Sequence, residues 1–281
     1  MNPHSCKPAL ALTLDLEWWG RAHLLPQVPS FPDGIERDIA ALEQFLALLT
    51  AHSIPATFFT VANDFDSGVL RRIVAAGGEI ASHSLTHPHF AGLTQEAWKT
   101  EVTESKQRLE DAAGVQVTGF RAPSWSIPYE RAGEFHDVLR AAGYAYDSSF
   151  CGLKTPLYGD PRFGSRPYVG ASGLVEIPVP LIGRPRAPWI GGAYFRLAPR
   201  VLLQSWIRAA CPAFLYFHPW EFYEREPVRG TIMTRLAINH GRRGNLAKLA
   251  RLISALKDSV RFRTMQEYAE EIRGNSASLA S

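Results

Sequence analysis

The feature that most constrains the fold is a regular alternation of short apolar segments with longer amphipathic ones. The apolar segments predict strands at 9–17, 55–61, 79–81, 115–120, 143–149, 174–179 and 213–217. Hydrophobic residues recur at helical spacing in the segments 33–52, 66–76, 94–113, 129–142 and 197–209. Strands that alternate with helices indicate a parallel sheet, and a length of 281 residues favours a β/α barrel over an open sheet.

Composition is that of a globular protein with a sizeable core, at 46% hydrophobic and 20% charged residues. No linker, internal repeat or low-complexity tract is evident, so we expect a single domain over residues 1–281, with a core at about 9–270. A net charge of +3 is too small to indicate nucleic acid, and no apolar window is long enough for a transmembrane segment. Residues 1–7 do not resemble a signal peptide and the three cysteines are scattered, which predicts a cytoplasmic protein.

Two stretches stand out from the alternation. Residues 150–173 are rich in glycine and proline with little periodicity, which is typical of an irregular loop that faces the substrate. Residues 235–257 are basic and partly amphipathic, which favours a helix that covers the core over a helix that lies on a membrane surface. The sequence does not define a further role for either stretch.

Ionisable residues follow the carboxyl ends of several predicted strands. They are Asp15 and Glu17, His83 and His87, Arg121, His218 and, as a further candidate, Asp147. In a β/α barrel these strand ends gather at one rim, where the active site lies. Metal-assisted amide hydrolysis requires a carboxylate and two imidazoles that bind a metal, and a second carboxylate that acts as base. It also requires a cation beside that base and a separate histidine that acts as acid.

The two histidines are the most informative pair. A spacing of four places His83 and His87 on one side of a turn, where they can share a divalent metal, and Pro88 favours a loop at the end of a strand. Asp15 and Glu17 are two residues apart and would therefore point to the same side of a strand. The alternatives are histidines that only hydrogen-bond within the loop, and solvated carboxylates that open another loop.

These segments resemble the motifs of the polysaccharide deacetylase family (NodB homology, carbohydrate esterase family 4). The family's T-F-D-D-G corresponds to T-L-D-L-E at 13–17, and its H-[ST]-x-x-H-P is matched in full at 83–88. Its R-x-P-[YW] is loosened to R-A-P-S-W at 121–125, and its apolar strand ending in histidine is found at 215–218. The resemblance is greatest to the branch found in bacterial exopolysaccharide and O-antigen gene clusters. It implies a distorted (β/α) barrel of about seven strands.

By this resemblance, Asp15 corresponds to the catalytic base, and His83 and His87 correspond to two metal ligands. The family's second aspartate falls at Leu16, which cannot bind metal. Some branches place the ligand one residue later, as D-x-D or D-x-E, and Glu17 fits that pattern. The resemblance therefore implies a divalent ion, Zn²⁺ above all, held by the glutamate and the two histidines.

The remaining site residues are also assigned by resemblance. Arg121 matches the residue that orients the base, and His218 matches the general acid, with Asp147 as its loosely matched partner. The backbone N–H of Ser124 is the candidate donor to the oxyanion. Trp125 and Trp220 could stack on a sugar face, although packing in the core explains either ring at least as well.

The leading prediction is a metal-dependent hydrolase that removes an N-acetyl group from an amino sugar of a surface polysaccharide. Because no signal peptide is seen, a nucleotide-linked or lipid-linked precursor would be easier to reach than the finished polymer. The alternatives are a metal-poor, allantoinase-like or imidase-like amidase acting on a small molecule, and an inactive barrel that binds carbohydrate. Because Asp15, Arg121 and His218 are all present beside the histidine pair, the inactive barrel is the least favoured. The sequence defines neither the sugar nor the oligomeric state.

Overall fold

The structure is a computed structural model that describes residues 7–23, 34–155, 157–224, 227 and 232–280. Its strands are β1 (Ala9–Leu16), β2 (Thr57–Thr60), β3 (Glu79–Ser82), β4 (Gly119–Phe120), β5 (Tyr146–Asp147), β6 (Tyr168–Val169), β7 (Val175–Glu176), β8 (Phe214–Phe217) and β9 (Arg261–Arg263). Its α-helices are α1 (Gly34–His52), α2 (Ser67–Ala75), α3 (Gln95–Ala113), α4 (Ala132–Ala141), α5 (Gly192–Leu197), α6 (Arg200–Ala210), α7 (Ile232–Asn239), α8 (Asn245–Leu256) and α9 (Met265–Ala280). Within these ranges, no helix combines the length and apolarity that crossing a lipid bilayer demands.

The sheet is curled and almost entirely parallel. Its strand order is β6-β7-β5-β4-β3-β2-β1-β8, and β9 pairs with β1. The seven strands from β7 to β8 are parallel along this path, whereas β6 is antiparallel to β7. Together with the helices, this sheet forms the predicted distorted (β/α) barrel of about seven strands, and the fold prediction is confirmed.

β1 is the strand around which the others are arranged. All eight of its residues are buried, because it pairs with β2, β8 and β9. A strand that is covered on both faces reads as a nearly continuous apolar run, and from Ala9 to Leu14 this run is interrupted by Thr13 alone. Asp15 is an exception, since it is a buried carboxylate near the carboxyl end of this strand.

Helix signals in the sequence mark several boundaries correctly. The Asp66 carboxylate and the Thr94 hydroxyl cap α2 and α3, each by accepting a backbone N–H three residues later. Gly114, at φ 73°, ends α3 in the left-handed conformation. Two features differ from the prediction. The helix α5 was not expected, and residues 168–169 of the stretch predicted to be irregular form the edge strand β6.

The basic stretch at 235–257 contributes to two helices instead of one. Left-handed glycines at 241 and 244 separate α7 from α8. The apolar side of α8 is buried, as expected of a helix that covers the core, through Leu249, Leu252, Ile253 and Leu256. The strand β1, near the amino end of the chain, pairs with β9, near the carboxyl end. Such pairing is consistent with one domain over residues 1–281, and that organisation stays a prediction.

Glu79 connects three parts of the barrel at the amino end of β3. Its carboxylate accepts hydrogen bonds from the Thr57 hydroxyl (2.6 Å), the Tyr146 hydroxyl (2.6 Å) and the backbone N–H of Gln266 in α9 (3.0 Å). Burial raises the pKa of Glu79, and the bonds from Thr57 and Tyr146 only partly oppose this. This end of a β/α barrel serves stability rather than chemistry.

We expect Glu79→Ala to lower the free energy of unfolding by roughly 2–3 kcal/mol, because three buried donors lose their acceptor. Glu79→Gln should lose less, since its amide oxygen still accepts. Urea unfolding followed by circular dichroism measures both changes. Glu96→Ala, which removes an exposed ion pair with Lys99, is the control and should be close to wild type. Equal stability of Glu79→Ala and wild type would contradict the assignment.

Candidate active site

The side chains predicted for the site converge beyond the carboxyl ends of four strands. Asp15 lies in β1 and Glu17 directly after it. His83 follows β3, Arg121 follows β4, and His218 follows β8. The strand order β4-β3-β2-β1-β8 places these ends at one rim, so the structure brings together residues that are up to about 200 positions apart in sequence.

Glu17, His83 and His87 form a compact buried group. One potential ligand atom from each lies within 4.8 Å of the other two. The Glu17 Oε2 atom contacts His87 Nε2 and lies 3.7 Å from His83 Nε2. Burial alone would raise the pKa of Glu17, but the charge and hydrogen bond of His87, with the charges of His218 and His83, lower it. The glutamate is therefore held in its ionised form, in which it can bind a cation.

Two observations test whether this group fits a metal ion. His83 Nδ1 lies 2.7 Å from the carbonyl oxygen of Arg121. A carbonyl only accepts, so Nδ1 carries the proton and Nε2 presents a lone pair toward Glu17. In addition, apart from its contact with His87, the buried Glu17 Oε2 has no hydrogen-bond partner among the described residues. Two imidazoles and one carboxylate form a donor set suited to zinc, and the residues fit such an ion.

The loop that carries the histidines is held in a strained conformation. Glu101 of α3 accepts hydrogen bonds from the backbone N–H groups of Leu85 (2.9 Å) and Thr86 (3.0 Å). The His87 N–H donates to the Ser84 hydroxyl at 3.0 Å. Ser84 and His87 have positive φ angles of 72° and 64°, which are uncommon for residues other than glycine. Left-handed residues of this kind cluster at functional sites, where surrounding bonds maintain them.

Arg121 orients Asp15 from within the barrel. Its guanidinium is fully buried and donates to Asp15 Oδ1 at 2.5 Å, to the Thr13 hydroxyl at 3.1 Å and to the Ser148 hydroxyl at 3.2 Å. The second oxygen, Asp15 Oδ2, lies 3.9 Å from His218 Nε2. The Arg121 guanidinium thus fixes one oxygen of Asp15, while the other oxygen is turned toward His218, the predicted acid.

His218 is positioned by a carboxylate three residues later in the chain. Its Nδ1 lies 2.7 Å from Glu221 Oε1, and Glu221 Oε2 lies 3.0 Å from the Arg196 guanidinium. Burial lowers the pKa of His218, but the hydrogen bond and charge of Glu221 outweigh it, so that the pKa is raised. An imidazole with a raised pKa keeps its proton near neutral pH, as a general acid must. Its Nε2 lies 3.8 Å from Glu17 Oε1 and faces the metal ligands.

The predicted pairing of His218 with Asp147 is wrong. Asp147 Oδ1 instead accepts hydrogen bonds from the Ser149 hydroxyl (2.5 Å) and the Ser148 N–H (2.8 Å), and its Oδ2 lies 3.5 Å from His136 Nε2. The reason is the alternation of side chains along β5. Its neighbour Tyr146 reaches Glu79 within the barrel, so Asp147 points to the opposite face, toward α4.

Several residues at the site were missed by sequence reasoning. A sequence signal for Glu221 existed, because a tight turn can bring a carboxylate into contact with a histidine three residues earlier. No sequence signal defines the role of Arg196, because the unexpected helix α5 brings it to Glu221. His23 also had no such signal. Its two ring nitrogens lie 3.0 Å from the Ser124 hydroxyl and 3.1 Å from the His87 carbonyl oxygen, so it connects the two loops.

The three predicted substrate-binding residues occupy different environments. Ser124 (φ 52°) and Trp125 (φ 46°) are consecutive left-handed residues beside the histidine loop. Both indoles, Trp125 and Trp220, are only 7% exposed. Trp125 packs edge-on against Tyr216, and Trp220 stacks on the His218 ring at 4.5 Å. Packing within the protein accounts for both indoles, and their contact with a sugar stays a prediction.

Comparison with known proteins covers both halves of the chain. Residues 29–146 match the family model described as polysaccharide deacetylase, and residues 148–270 match a domain of unknown function, DUF3473. The peptidoglycan deacetylase of Helicobacter pylori is 28% identical over 124 residues, which are 42% of this chain and 41% of that protein. The chitooligosaccharide deacetylase of Sinorhizobium fredii is 32% identical over 135 residues, which are 46% of this chain and 55% of that protein. The alignments thus span about half of each relative.

Solved structures show the same fold. A Mycobacterium smegmatis protein described as a polysaccharide deacetylase has a TM-score of 0.65 at 22% identity, covering 98% of this chain and 94% of its own. A Bacillus anthracis protein described as a pseudoenzyme of carbohydrate esterase family 4 has a TM-score of 0.52 at 16% identity, covering 94% and 66%. At such identities the likeness concerns the fold alone. The resemblance inferred from the motifs is nevertheless confirmed by the family model described as polysaccharide deacetylase, which matches residues 29–146 of this chain.

Proposed function

We propose that the protein is a metal-dependent hydrolase that removes an N-acetyl group from an amino sugar of a polysaccharide or its precursor. The observation that carries the proposal is the convergence at one rim of a candidate metal site, an Arg121-held carboxylate and a Glu221-held histidine. The two relatives named above are deacetylases of peptidoglycan and of chitooligosaccharide, which supports an N-acetylated sugar as substrate.

In this proposal Glu17, His83 and His87 hold the metal ion. Zn²⁺ is the proposed ion because one carboxylate and two imidazoles recur in catalytic zinc sites. A bound zinc ion supplies Lewis-acid polarisation of the acetamide carbonyl and of the attacking water. The Arg121 carbonyl contributes indirectly, since it fixes the tautomer of His83.

Asp15 acts as the general base. Its Oδ2 takes a proton from the water molecule as the water oxygen bonds to the acetamide carbon. Arg121 holds Oδ1 and so orients the carboxylate, a task for which a planar guanidinium is suited. The Ser124 N–H donates to the oxygen of the tetrahedral intermediate, where one such donor is typically worth about 3 kcal/mol of barrier.

His218 acts as the general acid. Its Nε2 donates a proton to the sugar nitrogen as the carbon–nitrogen bond breaks, which releases acetate and the free amine. Glu221 and Arg196 are positioning residues, since they touch the acid or its partner rather than the reacting atoms. The ring of Trp220 stacked on His218 restricts the imidazole further.

Two other functions were open from the sequence. The comparisons support carbohydrate deacetylation and lend no support to a small-molecule amidase of the allantoinase or imidase kind. An inactive barrel has a precedent in the Bacillus anthracis fold relative. In this chain, however, the proposed base, acid and metal ligands are all present within 4 Å of at least one other member of the group, which favours activity.

The finer features of the substrate also belong to the proposal. We propose a surface polysaccharide of bacteria or its nucleotide-linked or lipid-linked precursor, encountered in the cytoplasm. An assay for acetate release from N-acetylated chitooligosaccharide, peptidoglycan fragments and a nucleotide-linked N-acetylamino sugar tests this. Release that is lost on chelation and restored by Zn²⁺ supports the proposal, whereas hydrolysis of allantoin alone would contradict it.

Asp15→Asn should abolish acetate release while the protein still binds metal, because the amide keeps the shape of the side chain but is a poor base. Acetate release and metal content are measured on the same preparation. Asp111→Asn, which changes an exposed carboxylate on α3, is the control and should be fully active. Wild-type turnover by Asp15→Asn would refute its role as base.

Glu221→Gln should lower kcat about 10- to 100-fold with little change in KM, by analogy with the loss of partners that orient functional histidines. The amide can still hydrogen-bond to His218 but no longer stabilises its imidazolium form. Steady-state kinetics give the two constants, and the matched control is Glu271→Gln, which weakens a surface ion pair with Arg261. A change confined to KM would place Glu221 in substrate binding instead.

A further inference from the structure

A second group of potential metal ligands lies outside the candidate active site. His136 of α4, Asp147 of β5 and Glu176 of β7 each offer one ligand atom within 4.8 Å of the others. Asp147 and Glu176 are partners in the parallel register of β5 and β7 and are 0% exposed. The group lies between the sheet and α4, on the face of β5 opposite to the barrel interior. We propose that it binds a second divalent metal ion with a structural role.

His136 is hydrogen-bonded to Glu176, and the distances within the group also suit coordination of an ion. His136 Nε2 lies 3.2 Å from Glu176 Oε2 and 3.5 Å from Asp147 Oδ2. Hydrogen bonds between a charged donor and a carboxylate are shorter, about 2.7–2.9 Å. Ligand atoms at about 2.0–2.1 Å from a tetrahedral zinc ion are separated by about 3.3 Å. The separations of His136 Nε2 from the two carboxylate oxygens, 3.5 and 3.2 Å, therefore match those between ligand atoms around such an ion.

Among the described residues, two buried oxygens in the group have no well-formed hydrogen bond. They are Asp147 Oδ2 and Glu176 Oε1, both on side chains that are completely enclosed. Among the described residues, His136 is the sole ion-pair partner of either carboxylate. Buried charges are costly unless they are paired or coordinate a metal. A divalent ion with neutral His136 and two carboxylates gives a group with no net charge.

Protonation of the group is the alternative to metal binding. Without an ion, burial lowers the pKa of His136, but the bonds and charges of Asp147 and Glu176 outweigh it and raise the pKa to about 10. Burial and the charge of Asp147 likewise raise the pKa of Glu176. Protonation of Glu176 would neutralise the group and allow a hydrogen bond to Asp147, so metal content has to distinguish a proton from an ion. One imidazole and two carboxylates suit Zn²⁺ or Mn²⁺ rather than Ca²⁺, which prefers an all-oxygen shell.

The group is connected by hydrogen bonds to the segment that holds Arg121, so a bound ion would support that segment. Asp147 Oδ1 accepts from the Ser149 hydroxyl, which in turn accepts from the Ala122 N–H at 2.8 Å. The neighbouring Ser148 hydroxyl accepts from Arg121 at 3.2 Å. An ion that fixes Asp147 therefore supports the segment that holds Arg121. It also joins His136, from the part matched by the deacetylase model, to Glu176, from the part matched by the domain of unknown function.

Metal content measured by mass spectrometry tests the proposal without reference to activity. The double variant His83→Ala/His87→Ala removes the first site, and after dialysis it should retain about one zinc ion per chain. Adding Glu176→Gln, which keeps the side-chain volume, should remove that ion. The matched control is Asp38→Asn, a buried carboxylate bonded to Tyr223, which should retain it.

Two outcomes would overturn the proposal. In the first, the double variant holds no zinc even when Zn²⁺ is supplied during expression. In the second, the remaining ion persists after Glu176→Gln is added. If circular dichroism shows that the variants do not fold, the metal content of the wild-type chain still tests the proposal. Two zinc ions per chain are expected, with a fall in Tm when a strong chelator removes both, and one ion per chain would refute a second site.

Discussion

The site depends above all on the buried guanidinium of Arg121. It is fully enclosed, and its charge is balanced by Asp15 at 2.5 Å, with further bonds to Thr13 and Ser148. Removal of one partner from a buried ion pair typically costs about 3–5 kcal/mol, because an uncompensated charge remains. The carbonyl of the same residue fixes the tautomer of His83. One residue thus couples the orientation of the proposed base to that of a proposed metal ligand.

The loops around this residue are strained, and the strain is distributed around the rim. Ser84, His87, Ser124 and Trp125 all have positive φ angles. Such conformations cost of order 1–3 kcal/mol each and persist only where surrounding contacts determine them. Glu101 provides those contacts for the histidine loop, and His23 connects that loop to Ser124.

Sequence reasoning was reliable where a local pattern carries the information. The apolar run of β1, the start of the helix predicted at 94–113 and the spacing of His83 and His87 are local, and the structure brings these histidines to Glu17. It failed where the outcome depends on which face of a short strand a side chain occupies. Asp147 lies in a two-residue strand, too short for alternation to be read from sequence, and it points away from His218. Arg196 could not be found, because its contact with Glu221 exists only in the folded chain.

The central claim is that Glu17 replaces the family's second aspartate as a metal ligand, so that the deacetylase domain retains a metal centre. Anomalous diffraction at the zinc edge, from crystals grown with Zn²⁺, tests this most directly because it locates the ion. We expect a peak bounded by Glu17 Oε2 and the Nε2 atoms of His83 and His87, and its loss in Glu17→Ala. A wild-type crystal with no peak there, or a peak that Glu17→Ala leaves unchanged, would contradict the account.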